Sequence, residues 1–382
     1  MIYLDYSANT PANRAVFDAF VEAETAFIGN PNSTHPAGQA ARAQLAKATE
    51  RIAELLGANP AEVIYTSGAS EANNLAVKGI AHASRHVGRH IISTPLEHAS
   101  LSGCLNWLQD KGWEIDLLDV DRDGRVDLEQ LRDLLRSDTA LVAVSWVDSE
   151  LGTVQPIDKI IEILKDYPNC RLHVDATQAV GKMRVSFAGI DTMSVAPHKF
   201  YGLNGSGILL KRRGVELEPL IHGGAGATDY RSGTPTLALA VAAARALELA
   251  LGDLERNVEI VRAHSARLRA ELGRYSEVRF NSPKGALPHI LNLSVRGVKA
   301  TAFQRALSER GVCVSVKSAC STEGTPSKAV YAVTLDRKNA LSSWRISLSH
   351  LTTDAELDAF MEIFETCYGE LVKWAGSCRG IS

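Results

Sequence analysis

The sequence predicts an α/β fold, with a large domain built on a mixed, mostly parallel sheet and a smaller α+β domain at the C-terminal end. Two observations predict it. Between about residues 60 and 211 short apolar runs alternate with amphipathic helical segments, the pattern of strands joined by crossover helices. After a long Ala-, Leu-, Glu- and Arg-rich stretch from Leu237 to about Tyr275, a fresh strand pattern, PHILNLSV (288–295), opens a second region.

Taken in order, the first ten residues, MIYLDYSANT, are too short to form a unit and are expected to pack on the smaller domain. Strands follow at EVIYT (62–66), HIIST (90–94), EIDLLDV (114–120), ALVAVSWV (140–147), RLHVDA (171–176), MSVA (193–196) and GILLK (207–211). Amphipathic helices fall between them at 127–136 and 157–166. The long helical stretch breaks near Gly252-Asp253, which places the domains at 11–255 and 256–382. In open α/β sheets ligands sit beyond the carboxyl ends of strands, so the site is sought in the loops that follow them.

At 382 residues, 45% hydrophobic and 22% charged, the chain has room for two ordinary globular cores. A net charge of −3 with scattered Lys and Arg offers no basic footprint for nucleic acid or an anionic membrane. No apolar run approaches the ~18 residues of a membrane span, and the N-terminus lacks the basic and apolar regions of a leader. A cytoplasmic protein with small-molecule or protein partners is expected. The six cysteines form no CxxC pair and no Cys/His cluster, so neither a disulfide framework nor a metal site is indicated. Cys104, Cys170, Cys313 and Cys367 lie in helix- or strand-like patterns and Cys378 in the tail, whereas Cys320 sits in SVKSACSTEGTPSK among small and hydroxylated residues. That setting suits an exposed, reactive thiol.

Two patterns are discounted. DVDRDGRVDLEQ (119–130) spaces its aspartates like a calcium loop, but its twelfth position is Gln130 and a strand precedes it. GLNGSG (202–207) precedes a strand instead of opening a helix, which weakens it as a phosphate loop.

Three loops after strands hold the chemistry. YTSGASEANNLA passes from a strand through Ser67, Gly68, Ala69 and Ser70 into a helix, a N-terminus with free N–H groups for an anion. HVDATQAVG ends a buried strand with Asp175 and Gln178, and SVAPHKFYG places His198 and Lys199 after the next. Singly these read as an N-cap, a capping carboxylate and an ordinary loop. Together, an anion cradle, a carboxylate and an amine 24 residues later are the parts pyridoxal 5′-phosphate needs: a phosphate site, a partner for the pyridinium nitrogen and a Schiff-base lysine. His98 in PLEHAS follows another strand and is placed to stack on the ring.

In these motifs, and in YLDYSANTP, GNPNSTHPAGQAAR, HGG…RSGTP, SACS and WRISLSH, the chain resembles the cysteine desulfurases among the class V, fold-type I pyridoxal phosphate enzymes. The resemblance implies a homodimer acting on L-cysteine and passing sulfur to an acceptor protein, with Lys199 bound to the cofactor, Asp175 on its ring nitrogen, Gln178 and Ser149 near its phenolic oxygen and His98 stacked on the ring. It further implies phosphate contacts from Ala69, Ser70 and His198, with Thr234 from the other subunit, and Arg345 clamping the substrate carboxylate beside an asparagine flanking Pro31, Asn30 or Asn32. Cys320 would take up the sulfur as a persulfide, leaving alanine. The acceptor stays open among an iron–sulfur cluster scaffold, a tRNA-thiolation relay and a nucleic-acid sulfur-modification system.

The chain departs from the family at Asp148-Ser149, where paired asparagines are expected, at Ala196, where a serine would touch the phosphate, and at Lys317, where a glycine would stand. Other readings are a selenocysteine lyase, another amino-acid cleavage or an aminotransferase, which needs no thiol, and a non-catalytic subunit of a sulfur-transfer complex.

Overall fold

A computed structural model describes residues 1–224, 228–316 and 325–379. The chain opens with β1 (Ile2–Tyr3) and two helices, α1 (Arg14–Ala26) and α2 (Pro36–Leu56). α2 starts on Pro36, whose fixed φ suits a first turn, and stops at Gly57 in the left-handed conformation.

The alternating region then runs β2 (Val63–Thr66), α3 (Ala69–Ala83), β3 (His90–Ser93), α4 (Ala99–Gln109), β4 (Glu114–Leu117), α5 (Leu128–Leu134), β5 (Thr139–Ser145), α6 (Ile157–Leu164), β6 (Arg171–Asp175), β7 (Thr192–Val195) and β8 (Gly207–Lys211). β2 to β8 form one sheet of order β2-β8-β7-β6-β5-β3-β4. The β4-β3-β5-β6-β7 pairings are parallel, and β8 runs antiparallel to both its neighbours. Every residue of β5, β7 and β8 is buried, as expected of strands covered by helices on both faces. The carboxyl ends of β2, β3, β5, β6 and β7 therefore lie along one edge.

The discounted segment 119–130 is a tight turn. The Asp121 carboxylate accepts the N–H groups of Asp123 and Arg125, and Val120 bridges to Val126.

The remaining elements are α7 (Leu237–Gly252), α8 (Leu254–Leu272), β9 (Val278–Phe280), β10 (Ile290–Val295), α9 (Ala300–Ser308), β11 (Val312–Cys313), α10 (Lys328–Thr334), α11 (Arg337–Ser342), β12 (Ser343–Ser347) and α12 (Asp354–Arg379). α1 and α2 pack on α7. β9, β10 and β12 form an antiparallel sheet of order β12-β10-β9. Its core joins Leu291, Leu293 and Ile346 to Phe303, Phe360 and Phe364, with Phe303 stacked on Trp344 at 5.2 Å between ring centres. β1 pairs in parallel with β11, and Asp5 bridges to Ser347. The next few residues of this N-terminal segment pass under the end of β7.

Candidate active site

A cavity of about 410 Å³ opens where β2, β3, β5, β6 and β7 end. One end is the turn from β2 into α3. Ser67, Gly68, Ala69 and Ser70 line it, and their position depends on the strand beside them: a Cβ on Gly207 would lie 2.5 Å from the Gly68 backbone. The glycine of GLNGSG thus serves close backbone approach, which lets the α3 N-terminus and its free N–H groups face the cavity. Glu71 in the first turn accepts Ser67 N–H at 2.7 Å and pairs with Arg231 at 3.0 Å, which holds the turn.

Asp175, at the tip of β6, is 5% exposed. Its Oδ1 accepts Thr177 N–H at 2.9 Å and its Oδ2 accepts Asn73 Nδ2 at 2.7 Å, contacts that orient the carboxylate. The Thr177 hydroxyl is buried without a partner among the described residues, and Thr177 lines the cavity. Lys199 ends the short 3₁₀ turn after β7, and its Nζ donates to Ser7 O and Ala8 O, each at 2.7 Å. Tyr201, two residues on, has φ of 67°, a left-handed conformation that is strained for a side chain of its size. Its N–H donates to Thr10 Oγ1 at 2.7 Å, so the N-terminal segment fixes both the backbone and the amine of this turn.

Gln178 donates through Nε2 to Ser7 O at 2.9 Å and accepts Lys182 Nζ on Oε1. Lys182 is buried with no carboxylate bonded to it among the described residues, and desolvation, with Lys199 and Arg345 adding repulsion, pulls its pKa well below the usual lysine range. His98 is the N-cap of α4 and lines the wall opposite; burial lowers its pKa, with Lys199 acting the same way and Asp175 opposing. Burial, then Lys199 and Lys182, push His198 down to about 4, so a neutral His198 faces the cavity as a hydrogen-bonding group.

Arg345, in β12, closes the other end with a side chain 3% exposed. Nη2 donates to Asp5 Oδ1 at 2.9 Å and Nη1 to Ser149 O at 2.6 Å, and Nε has no partner among the described residues. Asp5 in turn accepts Ser315 Oγ at 2.8 Å. The guanidinium keeps donors in hand for a carboxylate.

Asp148-Ser149 is clarified by this geometry. Ser149 lines the cavity, whereas Asp148 points into the turn after β5, where Oδ1 accepts Glu150 N–H at 3.0 Å and Leu151 N–H. Asp148 therefore shapes the loop whose Ser149 carbonyl receives Arg345. Burial, with Glu150 adding repulsion, pushes its pKa up to about 7. Between about pH 4 and 7 the folded protein then holds a proton that the unfolded chain has released, so stability falls as pH rises through that window. Asp148→Asn keeps the acceptor and removes the charge. Its stability gain should reach up to ~4 kcal/mol at pH 8 and vanish near pH 4, as read by denaturant titration at both values.

Of the residues singled out in the sequence, Lys199, Asp175, Gln178, His98, Ala69, Ser70, His198, Ser149 and Arg345 meet in this one cavity. Thr234 does not line it and sits in the segment beside a second hollow, bordered by Thr228, Arg231 and Gly233, that shares Ser67 with the cradle. Asn30 and Asn32 are exposed and do not line it either; Asn30 Oδ1 accepts Asn32 N–H at 2.9 Å in a local turn. Cys320 and Lys317 lie outside the described residues. Asp5, Asn73, Thr177 and Lys182 were not singled out, although Asp5, Asn73 and Thr177 stand inside quoted motifs.

An N–H-rich cradle, an oriented carboxylate, an amine and an unpartnered buried hydroxyl around one cavity fit a phosphorylated pyridine aldehyde, and with the sheet order they define a fold-type I pyridoxal phosphate enzyme. The aminotransferase class-V profile matches residues 2–360, and the chain belongs to that family, whose cofactor is pyridoxal 5′-phosphate. Within it, the chain is 38% identical over 394 aligned positions to an IscS-like cysteine desulfurase of Mycobacterium tuberculosis, with 100% of both chains covered. A NifS-like protein of solved structure superposes with a TM-score of 0.90 at 33% identity, covering 96% of this chain and 98% of its own. A structure of SspA in complex with cysteine gives 0.81 at 31% identity, covering 92% and 100%.

Proposed function

We propose that this chain is an L-cysteine desulfurase that removes the substrate's sulfur, leaves L-alanine, and holds the sulfur on Cys320 for transfer to an acceptor protein. The observation that carries the reading is the convergence of Lys199, Asp175 and Arg345 on one cavity. The family match and the cysteine desulfurase relatives support it.

Bound pyridoxal phosphate supplies an electron sink that acidifies the substrate's Cα–H and loosens its Cβ–S bond. The α3 N-terminus, Ser70 and His198 would hold its phosphate, and the Asp175 carboxylate would face its ring nitrogen. Arg345 takes the substrate carboxylate with the N–H groups left over from Asp5 and Ser149, fixing the amino acid's orientation. Lys199 Nζ, turned from Ser7 O and Ala8 O, takes the α-proton and later returns one. The Cys320 thiolate attacks the substrate sulfur: an S–S bond forms, the Cβ–S bond breaks, and the electron pair stays on the substrate carbon, which is protonated to alanine. An external thiol or acceptor protein then reduces the persulfide. The working unit is a homodimer, in which Thr234 of one subunit reaches the phosphate of the other.

The test is direct. Full-length protein loaded with the cofactor and given L-cysteine and dithiothreitol should release alanine and sulfide in equal amounts; alanine without sulfide, or neither, would sink the reading.

A further inference from the structure

The buried polar groups behind His98 form a chain whose donors and acceptors are set by two contacts, the Asn73 amide on the Asp175 carboxylate at one end and the Ser100 N–H on the His98 ring at the other. Asn73 is fully buried and lies 2.7 Å from Asp175 Oδ2 and 2.8 Å from Ser100 Oγ through one atom of its amide, and 3.1 Å from His173 Nε2 through the other. An ionised Asp175 only accepts, so the Asn73 atom facing it is the NH₂ group and Oδ1 faces His173. His173 therefore carries its proton on Nε2 and accepts Thr192 Oγ1 on Nδ1 at 2.9 Å. Burial, which takes its pKa down to about 4, agrees with a neutral ring.

Asn73 donates to Ser100 Oγ, so the serine's own hydrogen points elsewhere, and His98 Nδ1 is 2.9 Å away. Ser100 N–H also aims at that nitrogen, at 3.2 Å. Nδ1 receives two donors and holds a lone pair. The proton of neutral His98 is then on Nε2, which is bonded to no described residue.

We infer that Asn73 and Ser100 are positioning residues that fix His98 as the Nε2–H tautomer, so that it meets the reacting groups as a proton donor and not as a base. The same amide that holds Asp175 sets this tautomer, so the orientation of the carboxylate and the tautomer of the histidine are tied together. Protonating Nδ1 requires the Ser100 hydroxyl to turn and the Asn73 contact to rearrange. The other charged groups facing His98 are Asp175, Lys199 and Glu150, with Arg345 and His198 across the cavity.

The test uses holoenzyme with ¹⁵N-labelled histidine. Long-range ¹H–¹⁵N spectra at pH 7.5 should show His98 in the Nε2–H form. Ser100→Ala removes a donor that favours the neutral ring; the midpoint of the His98 titration, and with it the acidic limb of kcat/KM, should move up by about half to one unit, the worth of one hydrogen bond. Ser100→Thr, which keeps the hydroxyl, should restore both. An Nδ1–H tautomer in the parent overturns the inference without any variant, and so does a Ser100→Ala protein whose tautomer and acidic limb are unchanged. The inference rests on the desulfurase reading only for its kinetic half: an inactive protein with His98 in the Nε2–H form would sink that reading and leave the tautomer assignment standing.

Discussion

Lys199→Ala should lower kcat for L-cysteine by at least ~10³-fold and abolish the covalent attachment of the cofactor. Two losses combine. The amine is the only one at the cavity wall among the described residues, since Lys182 is turned behind Gln178, and a positioned base contributes about 10²–10⁴ in rate. Its removal also takes the Nζ donor from Ala8 O, while Ser7 O keeps only the Gln178 amide at 2.9 Å. The measurement is paired: alanine formation by the variant, and the mass of the protein after borohydride treatment of the holoenzyme. A variant that still gains the mass of reduced cofactor, or that turns over within tenfold of the parent, would rule out Lys199 as the attachment point and base.

Cys320→Ser should separate the two signals. Cofactor attachment and the absorbance of the holoenzyme should stay at the parent level, while sulfide release falls to background, a loss of ~10³-fold or more, because a serine hydroxyl at neutral pH is a far weaker nucleophile than a thiolate. Iodoacetamide footprinting supplies a check that does not depend on turnover: parent protein incubated with L-cysteine should carry an extra sulfur on the peptide containing Cys320. Sulfide at the parent rate from the serine variant would move the nucleophile to another thiol. Cys104 and Cys170 are poor substitutes, since burial pushes their thiols up to about 11 and about 12.

The sheet was legible because most of its strands are short apolar-rich runs bounded by polar loops, and each of the seven begins or ends within a few residues of the expected place, the edge strand β4 (EIDL) included. The loops that follow the strands were legible for the same reason, since a strand tip fixes where the next side chains emerge; Asp175 and Lys199 are cases of this. What escaped was everything set by chain crossings. Asp5 reaches Arg345 across 340 residues of sequence, and Asn73 reaches Asp175 across 102, and no local periodicity carries such pairings. Asp148 shows a subtler limit: one of the two departures from the paired asparagines is a turn-former, and only its neighbour, Ser149, faces the cavity. Gly207 was visible in its motif, but the partner that demands it, Gly68, is visible only in space.

The clasp of Lys199 by the carbonyls of Ser7 and Ala8 has a consequence for the order in which a ribosome makes this protein. Ser7 N–H is itself tied to Ser347 Oγ at 2.9 Å, and Ser347 N–H to Leu4 O at 2.7 Å. This early segment thus waits for a strand 340 residues further along the chain. A nascent chain can complete the mixed sheet as soon as β8 has emerged, and Gln178 and Tyr201 can already hold Ser7 and Thr10, yet the Ser347 end of the clasp is added only when β12 follows. A chain ending before that strand would lack both the Ser347 anchor and Arg345, and so the clamp for the substrate carboxylate.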